Sequence, residues 1–106
     1  MRKPLLIATL AVMAVFTGSQ AMAADGTKIY ASKCAMCHGK AGEGSAMAPA
    51  HKGNPFLKGD AAAIKAVITN GRSGADKKYP KFSISMPKFQ LSAEELDALV
   101  AMLKGF

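Results

Sequence analysis

Two cysteines separated by two residues and followed at once by a histidine, Cys34-Ala35-Met36-Cys37-His38, constrain this chain more than anything else in it. A disulfide between them would close a tiny loop and restrain little of the unfolded chain, and the sequence has no other cysteine to pair with either. The pentapeptide has the form of a covalent haem attachment site. Thioether bonds from Cys34 and Cys37 would fix two points on the porphyrin edge. His38 would then turn its imidazole onto the iron from the same helical turn.

Two other chemistries use such residues. A Cys-x-x-Cys pair can be a thiol–disulfide redox centre, which usually sits in a strand–helix unit. No strand-rich pattern is present here. Cys34, Cys37, His38 and His51 make four zinc ligands on paper, although adjacent Cys37 and His38 suit a tetrahedral centre poorly.

The need for a cofactor is also written in the composition. Arg2 and Lys3 precede an apolar run from Leu5 to Phe16 that only Thr9 interrupts; Gly18-Ser19-Gln20 and the small residues of Ala21-Met22-Ala23 follow. That order predicts a secretory signal peptide over residues 1–23, cleaved near Ala23 or Ala24, and a periplasmic protein. The run falls short of the roughly 20 apolar residues of a spanning helix, so no permanent membrane anchor is expected. Residues 24–106 then form one domain holding only fifteen Leu, Ile, Val and Phe, a share under the rough 20% at which chains begin to look disordered. A domain this small and thin in aliphatics needs a supplement to its core. A porphyrin supplies one.

The whole chain carries a formal charge of +7. Its lysines are scattered, with only Lys77-Lys78 adjacent, which suits either a solvated basic surface or steering toward an acidic redox partner. No nucleic-acid recognition module is present, and nucleic acid is not an expected partner.

Three helices can be placed. One runs from about Gly26 to Met36 behind Asp25 as N-cap. A second starts after Asp60, sets Ile64, Val67 and Ile68 on one face, and stops at Asn70-Gly71. The third opens with Ser92-Ala93-Glu94-Glu95, a capping-box pattern, and carries Leu96, Leu99, Val100 and Leu103 at i, i+3, i+4 and i+7. Between them lie two long stretches, 40–59 and 71–90, expected to lack regular structure. Loops of that length inside a compact domain are usually functional, and wrapping a flat cofactor is such a function.

An iron in this site needs a sixth ligand, for which Met36, Met47, Met86, Met102 and His51 are the candidates. Met36 lies inside the attachment loop and cannot reach the far face. Met102 sits near the apolar face of the last helix. Met47 and His51 follow His38 closely, in a glycine-rich loop suited to covering the histidine side. Met86 is best placed: it lies in the second long loop, and Pro87 restricts it to an extended conformation. A thioether opposite histidine saturates the iron and raises its potential.

These residues together resemble the class I (monohaem) cytochrome c family in its short bacterial form, over nearly all of 24–106. Gly26 with Tyr30 is similar to that family's first helix, where a glycine and an aromatic cross the last helix. Val67-Ile68-Thr69-Asn70-Gly71, Met86-Pro87-Lys88-Phe89 and Leu91-Ser92 are similar to its C-terminal half. The resemblance implies an all-α, small cytochrome c fold with three or more helices and long loops wrapped around one covalent haem c. It also implies that the Pro49 carbonyl accepts a hydrogen bond from the ligand histidine's other nitrogen. Arg72 or a nearby lysine is a candidate for the haem propionates. Two features depart from the family pattern: a longer interval from Gly71 to Met86, with Lys77, Lys78, Tyr79 and Pro80, and Met102 where an aromatic is common.

The expectation is thus a monomeric periplasmic carrier of single electrons with His38–Met86 ligation, and not an enzyme. Two alternatives stay open. One is a haem subunit of a larger oxidoreductase. The other is a haem protein whose Met86 yields to a small ligand.

Overall fold

The computed structural model describes residues 24–106; the expected signal segment 1–23 lies outside them. Among the described residues four α-helices carry the fold: α1 (Gly26–Lys33), α2 (Ala35–His38), α3 (Ala61–Asn70) and α4 (Ala93–Leu103). No strand occurs among the described residues, only an isolated antiparallel bridge between Arg72 and Met86. The fold is all-α, as the sequence implied.

Each long helix begins where a short polar side chain can satisfy amides that have no intrahelical partner. The Asp25 carboxylate accepts from the amides of Thr27 and Lys28. Asp60 accepts from Ala62. At α4 the capping box is complete: Ser92 Oγ accepts from the Glu95 amide at 3.1 Å, and the Glu95 carboxylate accepts from the Ser92 amide at 3.0 Å.

The first helix is not the single rod expected over 26–36. The Cys34 amide still bonds to Tyr30 O, but its φ of −115° tilts the chain away, and a new turn starts at Ala35. The amides of Cys37 and His38 both fold back on Cys34 O. This break turns Cys37 and His38 off the axis of α1, toward the interior. The two stretches between helices also hold more structure than expected, a 3₁₀ turn in each: Pro55–Lys58 and Gly74–Asp76.

Helices α1 and α4 cross at Gly26, where a β-carbon would stand 2.2 Å from the Ala98 carbonyl oxygen. Only glycine permits that approach. Four residues on, Tyr30 fills the space below the crossing and is 2% exposed. It joins Leu57, Ile64, Ile68, Leu99, Val100 and Leu103 in one core cluster. Of the apolar face expected on α3, Ile64 and Ile68 enter this core, whereas Val67 is half-buried along a cavity. The far end of α4 is tied down by a lysine exchange. Lys58 Nζ donates to the carbonyls of Lys104 and Phe106, and Lys104 Nζ donates to that of Gly59. Cations there also complement the negative end of the helix dipole.

Candidate functional site

His38 ends α2 and is 9% exposed. Its Nδ1 lies 2.8 Å from the Pro49 carbonyl oxygen, which can only accept, so Nδ1 carries the proton. Nε2 is left with its lone pair. Burial moves the ring below the usual histidine pKa, partly opposed by the Pro49 bond. A neutral imidazole with one nitrogen fixed by a carbonyl is the usual form of a histidine metal ligand.

The Pro49 carbonyl is delivered by a loop that folds back on His38. Gly44 donates its amide to His38 O at 2.7 Å, and the amides of His51 and Lys52 both bond to Gly42 O. Gly44 has φ +80°, and a β-carbon there would come within 2.7 Å of the Ala50 amide. Glycine is therefore required for the loop to close this tightly.

Cys34 and Cys37 are half-buried at the same end of the cavity. Burial pushes the Cys34 thiol up to about 11, with Lys33 partly opposing and Cys37 adding to the rise. A redox-active cysteine needs an appreciable thiolate fraction near neutral pH. Among the described residues no three His, Cys, Asp or Glu side chains converge as a metal cluster.

Met86 reaches the cavity from the second long stretch, and its backbone is held on both sides. Its amide donates to Arg72 O at 2.9 Å and its carbonyl accepts from Arg72 N at 3.0 Å. Gly71, just past α3, has φ +67°, and a β-carbon there would lie 2.5 Å from Met86 O. Phe89 then bonds through its amide to Ile68 O, returning the chain to the core.

These parts enclose a cavity of about 390 Å³, within the range of small-molecule sites. Cys34, Cys37, His38 and Pro49 line it, as do Val67, Ile68, Phe89 and Met86. The longer 71–86 interval supplies a further wall through Lys77, Lys78, Tyr79, Phe82 and Ile84. That wall is internally braced: Lys77 Nζ donates to Phe82 O, the Lys78 ammonium lies 5.3 Å from the Phe56 ring centroid, and Tyr79 meets Phe82 edge to face. Arg72 lies over the same Phe56 ring at 5.6 Å.

Of the other candidates for the far ligand, Met36, Met47 and His51 line the same cavity and Met102 does not. Met36 is 79% exposed, and Met102 packs against the core near Gly26. Met47 is exposed at the cavity rim. His51 stacks face to face on His38, with centroids 3.9 Å apart and planes 20° from parallel. An iron shared by two imidazoles lies in the plane of both, so rings stacked in this way cannot share one. Nothing in the sequence spacing announced this stack.

An apolar slot with two thiols and a neutral imidazole at one end, and a thioether presented from a separate segment, fits a covalently attached porphyrin. The class so defined is the small helical haem protein of the c type. Residues 21–103 match the family model described as "Cytochrome C oxidase, cbb3-type, subunit III", and the chain belongs to this cytochrome c family. Membership of that family implies covalently bound haem c. The chain is also similar to the "Thiosulfate dehydrogenase electron acceptor" of Stutzerimonas stutzeri (strain A1501): 38% identical over 103 residues, covering 89% of this chain and 44% of that protein. It thus spans less than half the length of that relative. No solved structure matches the chain at a significant level.

Proposed function

We propose that this chain is a periplasmic carrier of single electrons, with its haem attached through Cys34 and Cys37 and its iron held between His38 and Met86. The observation that carries the reading is the pairing of two fixed ligands on one cavity. His38 is oriented by the Pro49 carbonyl, and Met86 is held by its two backbone bonds to Arg72. When bound, the haem supplies a one-electron couple, and a soft thioether opposite imidazole raises its potential. The chain's own residues orient the ligands, exclude water from the slot and set the charge at its mouth. The reading gives the protein a carrier's role rather than an enzyme's. On this reading residues 1–23 act as the export signal, and the exported domain works as a monomer.

A second reading draws on the relatives. One is named as an electron acceptor of thiosulfate dehydrogenase, and the matching family is named for an oxidase subunit. On this reading the domain serves a larger oxidoreductase, taking electrons from a dehydrogenase rather than diffusing among many partners. Purification as a free, soluble, reversibly reducible monomer argues for the first reading, and co-purification with a dehydrogenase for the second.

The ligand assignment is tested by expressing the chain with haem-maturation machinery and comparing the parent with Met86→Ala. The parent is expected to gain the mass of one haem and to show the red-edge absorption of methionine–ferric ligation. Met86→Ala is expected to lose that band. A ferric spectrum unchanged in Met86→Ala removes Met86 as the ligand.

A further inference from the structure

His51 is a half-buried imidazole that neither the attachment motif nor the methionine explains. Its Nδ1 has no surface exposure and no hydrogen-bond partner among the described residues. A buried nitrogen left without a partner carries a desolvation cost, so polar contacts do not account for its position. Its ring faces do. One face lies on His38 at 3.9 Å, while Tyr30 and Phe106 hold the ring from other directions, at 5.7 Å and 5.8 Å between centroids. Tyr30 and Phe106 are themselves packed at 5.1 Å. The His51 backbone is anchored too: its amide donates to Gly42 O, and its carbonyl accepts from Asn54.

We propose that His51 is a positioning residue that fixes the plane of the His38 ring. The inference rests on the reading above, in which His38 is the axial ligand. The Pro49 bond fixes one ring atom of His38 at 2.8 Å. One point leaves a planar ring free to rock about that contact. A second ring stacked on its face removes the freedom, because rocking drives the two planes together. The partner ring is wedged by Tyr30 and Phe106 and cannot retreat. Pro49 and His51 belong to one glycine-closed loop, so a single segment supplies both restraints. Groups outside the ligand set commonly orient a ligand histidine through a hydrogen bond; here an aromatic face adds a second restraint. The ring plane of an axial imidazole decides which iron π-type orbital it overlaps, and so the magnetic asymmetry of the ferric state.

The test uses the ferric holoprotein as parent, His51→Leu and His51→Phe, read by paramagnetic proton NMR of the haem ring methyls and by EPR. His51→Leu keeps an apolar filler without an aromatic face; the methyl resonances are expected to change order or broaden, and the EPR anisotropy to shift. His51→Phe keeps the face without nitrogens and is expected to retain the parent pattern. A parent pattern in His51→Leu overturns the proposal, as does a changed pattern in His51→Phe. Should His51→Leu fail to hold haem, His51→Phe alone decides. A parent without a low-spin histidine–methionine signature is a failure of the ligand reading, seen before any His51 variant is made.

Discussion

Arg72 and Met86 face each other as an antiparallel pair, exchanging amide-to-carbonyl bonds of 3.0 Å and 2.9 Å. This is the one piece of sheet-like pairing among the described residues, and it sits where a methionine enters the cavity. Three residues after Met86 the chain bonds to α3 through the Phe89 amide. The thioether is thus carried by a backbone fixed on both sides, over an otherwise irregular stretch.

Gly71 is what permits that pairing. Its φ of +67° is costly for any residue with a β-carbon, and the added carbon would meet Met86 O at 2.5 Å. Gly71→Ala is expected to cost about 1–3 kcal/mol in stability from backbone strain alone. If Met86 is the ligand as proposed, the change should also weaken the methionine–iron absorption band while leaving the haem covalently attached. Mass spectrometry and the ferric spectrum, read together, check this.

Tyr30 couples the core to the loop that follows the attachment motif. Its hydroxyl donates to Gly39 O at 2.6 Å, and burial, the largest cause, pushes its pKa up to about 12 from the ordinary 10.0. The raised value means that the neutral phenol is favoured in the folded state. Its contribution is complete below pH 10 and is lost as the pH rises toward 12, because the unfolded chain gives up its proton first. Tyr30→Phe should lower stability by about 1–3 kcal/mol at neutral pH, since Gly39 O loses its partner. It should also flatten the fall in stability between pH 10 and 12, a comparison that denaturant titrations at both pH values will make.

The helix starts were legible because Asp25, Asp60 and Ser92 act on amides two or three residues away, within the reach of sequence spacing. The cysteine–histidine motif was legible for the same reason. What spacing could not give are the consequences of distant contacts. The break at Cys34, the half-exposure of Val67 on the cavity side of α3 and the stacking of His51 on His38 depend on how elements meet. A periodic pattern marks a face as apolar without saying whether protein or a cavity lies beyond it. For Val67 the answer was a cavity.

At the crossing of α1 and α4, Gly26→Ala forces a methyl group against the Ala98 carbonyl, which is backbone and cannot rotate aside. The helices must separate, which disturbs Tyr30, Leu99 and the rest of the shared core. The expected loss is about 1–3 kcal/mol, the usual range for overpacking. Ser92→Ala, which removes only the α4 cap, should cost about 1 kcal/mol. Thermal melts of the two variants should rank in that order. Equal melting temperatures would mean that the helices adjust at the crossing at little cost.

The cavity mouth has one sign of charge. Lys33, Arg72, Lys77 and Lys78 line the site, and no Asp or Glu does. Several acids lie instead along α4, where Asp97 pairs with Lys65 and Glu95 caps the helix. An approaching protein therefore meets a positive face around the site and a mixed one elsewhere. Unlike charges on a partner speed encounter at low ionic strength and lose that effect as salt screens them. Lys78→Glu reverses one mouth charge at an exposed position, while Lys28→Glu makes the same change on the outer face of α1. With an acidic redox partner at low salt, Lys78→Glu should slow electron transfer by on the order of tenfold, and Lys28→Glu far less. Raising the salt to about 1 M, where the screening length is about 3 Å, should bring all three rates together. Rates that fall equally in the two variants would assign the effect to net charge, and the mouth would lose its claim as the docking face.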